Sequence, residues 1–180
     1  MKIKDIPQFI SARYKVNITW RYLLSWIKEQ ETDCLLELNP DFQRGHVWTE
    51  EQQVAYVEYC LQGGRSSRLI QFNYPNWQRI SKSDMFMVCV DGLQRITAVR
   101  RFLNNEIPVF GFFLKDFEDV AVSPARLPLS LDHNGWFDCY VNELETEAEV
   151  LEWYLQLNTG GTVHTQEEIE RVRKMREELV

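Results

Sequence analysis

Apolar positions recur along this chain in two periods, and stretches of each alternate. Trp20, Leu23, Leu24 and Ile27 fall at three- and four-residue spacing, which predicts a helix opening after Asn17-Ile18-Thr19 and stopping near Thr32. Leu35-Leu36-Glu37-Leu38 has the length of a short strand, closed by Asn39-Pro40. Thr49-Glu50-Glu51-Gln52 is a capping box, and Val54, Val57, Cys60 and Leu61 carry the helix to Gly63-Gly64. Leu69 to Phe72 reads as a strand, and Asn73 to Ser83 as a polar turn or hairpin loop. Met85-Phe86-Met87-Val88-Cys89-Val90 is apolar throughout, the pattern of a strand buried on both faces.

A helix comes next through Ile96, Val99, Arg100 and Leu103, closed by Asn104-Asn105, and Val109 to Phe113 predicts another strand. Residues 115–135 hold Pro124, Pro128 and Gly135 with little periodicity and read as an insertion or long loop. Phe137 to Val141 alternates as a strand does. Thr146-Glu147-Ala148-Glu149 caps a helix through Val150, Leu151, Trp153, Tyr154 and Leu157, and Thr165-Gln166-Glu167-Glu168 caps a charged last helix. Residues 1–19 carry little pattern and form an N-terminal segment, residues 20–162 the main domain, and 163–180 the C-terminal charged helix. Strands and helices mix without strict alternation, which favours an α+β fold with a small mixed sheet over a doubly wound parallel one.

The 180 residues suit one domain, and 44% apolar and 13% aromatic content is enough to build its core. A net charge of −7 with scattered basic residues disfavours gripping a DNA duplex by this chain alone. A small phosphorylated ligand needs only two or three well-placed donors. Cys34, Cys60, Cys89 and Cys139 lie far apart among apolar neighbours, so buried free thiols are expected rather than a zinc site. With no apolar signal core and no run of membrane-spanning length, a cytoplasmic location and no membrane partner are expected.

Three segments hold candidate chemistry. In Asp91-Gly92-Leu93-Gln94-Arg95-Ile96-Thr97, a buried strand delivers Asp91 to the sheet end and Gly92 permits a tight turn. The helix then starts with free amides, which bind anions, and Arg95 adds a forked cation for phosphate oxygens. Asp91 is a candidate ligand for Mg²⁺, or a simple helix cap. In Asn39-Pro40-Asp41-Phe42-Gln43-Arg44-Gly45-His46-Val47-Trp48, the aromatic anchors present Gln43 and Arg44 from a fixed loop. A solvated Arg beside a polar turn is the plainer alternative. Asn158-Thr159-Gly160-Gly161 is either a helix stop or a close-approach loop beside the first site.

In this order the three segments resemble the N-terminal domain of GmrSD-type modification-dependent restriction proteins, which also occurs in phosphorothioate-sensing defence proteins. That family reads Pro-x-(Phe/Tyr)-Gln-Arg-x-x-x-Trp, then Asp-Gly-Gln-Gln-Arg-(Leu/Ile)-Thr, then Leu-Asn-x-Gly-Gly. The resemblance covers roughly residues 20–175. It implies a fold similar to the ParB N-terminal domain and sulfiredoxin, with a loop-helix junction that takes nucleotide phosphates.

Carried onto this chain, the resemblance implies an NTP held by Gln43, Arg44, Gly92, Gln94, Arg95, Thr97, Asn158, Gly160 and Gly161, with Asp91 and Arg95 in catalytic roles and Mg²⁺ on Asp91. Leu93 replaces the family's first Gln, a departure that separates binding from hydrolysis. His133-Asn134-Gly135 lacks the second His of a His-Asn-His site, so no nuclease site is expected in this chain. The expected function is NTP phosphate binding with weak hydrolysis as its extension, and a nuclease or other defence-complex protein is the expected partner. Two alternatives stand beside it: a non-enzymatic module that regulates a defence complex, and a sensor of DNA modification.

Overall fold

A computed structural model describes residues 5–43, 45, 47–78, 81–118, 130–158 and 166–179. Strand β1 spans Tyr14–Thr19 and runs directly into helix α1, Trp20–Asp33. Helix α2 (Glu50–Leu61) precedes β2 (Leu69–Asn73) and β3 (Val88–Asp91), and α3 (Leu93–Leu103) starts one residue after β3. A short α4 (Ser130–Asn134) leads into β4 (Trp136–Asn142), α5 (Glu147–Asn158) and α6 (Gln166–Glu177). The strands form one sheet in the order β1-β4-β2-β3. β4 runs parallel to β2, while β1 against β4 and β3 against β2 are antiparallel. The fold is therefore α+β with a small mixed sheet. No helix among the described residues is long and apolar enough to cross a membrane.

β3 divides two cores. Met87 and Cys89 point into the larger one with Trp20, Ile27, Val57, Ile96 and Phe102, drawn from α1, α2 and α3. Val88 and Val90 point the other way, into a cluster with Phe42, Leu151, Tyr154, Ile169 and Val172, drawn mainly from α5 and α6. Val88, Cys89 and Val90 are covered on both faces, as the apolar run predicts, but the strand is shorter than the run: Met85, Phe86 and Met87 precede it, and Phe86 is 54% exposed.

Three local expectations are corrected. Residues 14–19 of the N-terminal segment belong to the sheet, since Tyr14–Thr19 pairs with Trp136–Val141 as its edge strand. The stretch Leu35–Leu38 supplies one parallel bridge, Glu37 to Val88, instead of a strand; Leu35 takes a left-handed backbone at φ +50°, which breaks the extended run. Val109–Phe113 folds back on itself, with Val109 bridging Phe112 around Phe110 and Gly111 at φ +52° and +81°. Within 115–135, the stretch 119–129 lies outside the described residues, and α4 occupies its end.

Arg68 and Glu143 are deeply buried charged residues, and the first ties helix ends to the sheet. Arg68 is 2% exposed and donates to the carbonyls of Gly64 (2.7 Å), Cys60 (2.7 Å), Asn134 (2.6 Å) and Trp136 (3.1 Å). Its guanidinium lies 3.8 Å from the Trp136 ring centroid. Cys60 and Asn134 sit in the last turns of α2 and α4, where the negative dipole end favours a cation; the Cys60 carbonyl also accepts the Gly63 amide at 3.0 Å. Arg68 so ties two helix ends to the start of β4. An Arg68→Met variant nearly keeps the volume but removes those bonds, and should lose about 3–5 kcal/mol in urea unfolding.

Burial pushes the Cys89 and Cys139 thiols well up from the ordinary range. Their protonated forms add stability that is fully present below the unfolded thiol pKa, about 8.5, and is lost progressively as pH rises above it. Unfolding free energy should accordingly fall from about pH 8.5 upward, and native protein should react with a thiol reagent at half-exposed Cys34 before Cys60, Cys89 or Cys139.

Candidate functional site

The junction between β3 and α3 is built by close packing. Gly92 has φ +114° and caps α3 in the left-handed region. A Cβ there would lie 2.5 Å from Ile70 Cδ1 and 3.3 Å from the Ile70 Cα, so both conformation and space demand glycine. Gly92 and Leu93 are buried, and the Ile96 amide already donates to the Gly92 carbonyl at 3.0 Å. The start of α3 is thus set against β2, where the sequence predicts amides facing outward. Leu93, at the position of the family's first Gln, belongs to the core and offers no polar contact.

Arg95 lies one turn beyond Asp91. Its Nη2 donates to both Asp91 carboxylate oxygens, at 2.9 and 3.1 Å, and its Nη1 donates to the Leu69 carbonyl. The two side chains keep 20% and 31% of their surface, so water reaches the pair, and an ion pair in such a setting contributes about 0–1 kcal/mol.

The loop around Gln43 is fastened to this junction from both sides. Gln43 Nε2 donates to the carbonyls of Cys89 (2.8 Å) and Val90 (3.2 Å) of β3. Gln94 Oε1 accepts from the amides of Val47 (3.1 Å) and Trp48 (3.2 Å), and its Nε2 donates to the Gly45 carbonyl. Phe42 packs against Tyr154 of α5 with ring centroids 5.2 Å apart. From α6, Arg171 donates to the carbonyls of Asp41 (2.8 Å) and Phe42 (3.1 Å).

The first two segments therefore meet, as the sequence implies, but Gln43 and Gln94 serve as braces between them. Of the third segment, Asn158 closes α5 with its Nδ2 turned back onto the Tyr154 carbonyl at 2.7 Å. Thr97 is half-buried on α3. Arg44, His46, Thr159, Gly160 and Gly161 lie outside the described residues.

Beside the junction is a cavity of about 410 Å³ lined by Trp48, Gln52, Ala55, Tyr56, Tyr59 and Ser67. Its walls connect to the pair just described. The Trp48 amide is held by Gln94, and the Tyr56 hydroxyl donates to the Ser67 carbonyl at 2.9 Å, two residues before the Leu69 carbonyl that Arg95 engages. Trp48 and Tyr56 rings stand 5.4 Å apart. Burial pushes the Tyr56 hydroxyl well up, with Cys60 adding and Arg95 and Arg68 opposing, so it stays a neutral donor. Tyr59 is 43% exposed, and its hydroxyl bonds Ser66. Sequence reasoning misses this aromatic wall because Tyr56 and Tyr59 sit between the apolar positions that set the period of α2. The three-residue spacing that puts them on one helix face is the available signal.

Asp91 already faces the Arg95 cation, and among the described residues no three His, Cys, Asp or Glu side chains converge.

The brace is testable. Gln94→Leu removes bonds to three backbone groups of the 45–48 loop, and should cost about 1–3 kcal/mol. Hydrogen exchange at the Val47 and Trp48 amides should rise sharply, while amides of β2 and β4 stay protected.

No protein-family model matches this chain, no curated protein matches it, and no solved structure matches its fold.

Proposed function

We propose that this chain is a nucleotide-binding domain that holds a base in the Trp48–Tyr59 cavity and phosphate oxygens at Arg95, without efficient hydrolysis. The observation that carries the reading is the adjacency of an aromatic-walled cavity to a solvent-reached arginine. Aromatic faces stack bases of any kind, and a guanidinium fork suits phosphate oxygens. Arg95 rests on Asp91 in the free protein, and an incoming phosphate replaces that carboxylate at modest cost, because the ion pair is partly hydrated. Arg44 is proposed as a second phosphate contact, and Gln52 as a polar contact to the base.

Two features favour binding over turnover. Leu93 is 3% exposed and faces the core, so this position supplies no group to orient a water. The Asp91 carboxylate is engaged with Arg95. Mg²⁺ belongs here as a companion of the nucleotide rather than as a fixed occupant.

The likeness to the GmrSD N-terminal domain, with its ParB- and sulfiredoxin-like fold, is part of this proposal. It is supported by the order of the three segments and by the Gln43 and Gln94 braces that join the first two. On that reading the protein works in a restriction or phage-defence setting, with a nuclease or other defence-complex protein as partner.

Thermal unfolding with ATP, GTP or CTP, each with and without Mg²⁺, tests the proposal. A nucleotide at about 100 times its Kd should stabilise the fold by about 2.7 kcal/mol. Tyr59→Ala should weaken binding by about 1 kcal/mol or more through lost stacking. A nucleoside should bind clearly less well than its triphosphate, and phosphate release should stay at the level of an Arg95→Ala control. No stabilisation by any nucleotide, or equal binding of nucleoside and triphosphate, contradicts the proposal.

A further inference from the structure

A second cavity, of about 430 Å³, shares no lining residue with the aromatic one. Its floor includes Phe42, which is 4% exposed and belongs to the core shared with α5 and α6. At its lip Phe86 is 54% exposed. Around this apolar surface stand the carboxylates Glu37, Asp41, Asp84 and Glu147, all on exposed residues, brought from three separate stretches of chain.

Among the described residues none of these four carboxylates has an ion-pair or hydrogen-bond partner. Arg171 comes close to this loop, yet its guanidinium is directed to the main-chain carbonyls of Asp41, Phe42 and Gln43. Lys82, two residues before Asp84, is exposed and forms no ion pair among the described residues.

Like charges gathered around a low-dielectric cleft focus a negative field and select the sign of the occupant. An apolar floor selects its shape and polarity. A polyamine meets the first demand and leaves Phe86 wet, and a nucleic acid fails it outright. We propose that this groove docks a segment of a protein partner that presents an apolar side chain flanked by Lys or Arg. The apolar side chain enters the cleft above Phe42 and packs on Phe86, and the flanking cations meet the carboxylates on the rim. The proposal is independent of the nucleotide reading, since it uses a different cavity and a ligand of opposite charge.

The test is fluorescence anisotropy of the full chain with labelled hexapeptides of alternating Lys and Leu, Lys and Ser, or Glu and Leu, together with spermine as competitor. The Lys–Leu peptide should bind saturably. Phe86→Ser and the double variant Asp84→Lys/Glu147→Lys should each weaken it about tenfold or more. The Lys–Ser peptide should bind about tenfold more weakly, and the Glu–Leu peptide not at all. Both variants alter exposed side chains, so an unchanged far-UV spectrum and melting temperature verify intact folding. Tyr59→Ala should leave peptide binding unchanged, which separates this site from the nucleotide site. The proposal is overturned if the Lys–Leu peptide fails to bind, if Lys–Ser or spermine binds as tightly and Phe86→Ser has no effect, or if sedimentation shows a self-association that Phe86→Ser abolishes, since the occupant is then a second copy.

Discussion

Two side-chain amides, Gln43 and Gln94, fasten together segments that lie some fifty positions apart in the chain, and the candidate site depends on that connection. Gln43 satisfies two consecutive carbonyls of β3, Cys89 and Val90. Gln94 offers its carbonyl oxygen to two consecutive amides and its amide nitrogen to a third backbone group. A carboxamide is the side chain suited to this, because it donates and accepts at once. A carboxylate at either position would lose the donor, and an apolar residue would leave main-chain groups unpaired.

The brace sets the position of everything around it. With Val47 and Trp48 held by Gln94, the Trp48 ring is fixed against Tyr56, and the cavity gains a rigid wall. Gln94 and Arg95 are neighbours on the first turn of α3, so the same turn that fixes the aromatic wall also aims the guanidinium. Gly92 makes that turn available by letting the backbone pass within contact distance of Ile70. Arg68, next in the chain to Ser67 of the cavity wall, adds support by tying the ends of α2 and α4 to β4 through carbonyls alone. The proposed nucleotide contacts thus sit on supported elements rather than on a loose loop.

Much of this is legible in the sequence, and the reasons are specific. The second half of the apolar run before Asp91, Val88-Cys89-Val90, is a strand covered on both faces whose alternate residues enter two different cores, while Phe86 in its first half is exposed. The capping boxes at Thr49 and Thr146 mark helix starts, since they depend only on neighbours in sequence. The meeting of the first two segments is implied by their resemblance to one family, but the work done by their residues is not. Nothing local distinguishes a glutamine that contacts a ligand from one that braces a loop, because the distinction lies in residues fifty positions away. The same holds for Arg68, which has the local pattern of a surface cation and is buried through distant carbonyls. β1 does alternate, Tyr14-Lys15-Val16-Asn17-Ile18-Thr19, with the apolar residues the less exposed, but it runs into α1 with no turn residue to mark its end. Leu35–Leu38 and Val109–Phe113 have strand composition, yet left-handed residues within them turn the backbone aside.

The central claim concerns where a nucleotide lies, so the most direct measurement is a crystal structure of the chain grown with a nucleoside triphosphate. The expected result is a base stacked within the Trp48, Tyr56 and Tyr59 cavity, with phosphate oxygens within about 3.2 Å of the Arg95 guanidinium in place of Asp91. A nucleotide bound elsewhere, or an Arg95 still paired with Asp91 beside an occupied cavity, would contradict it.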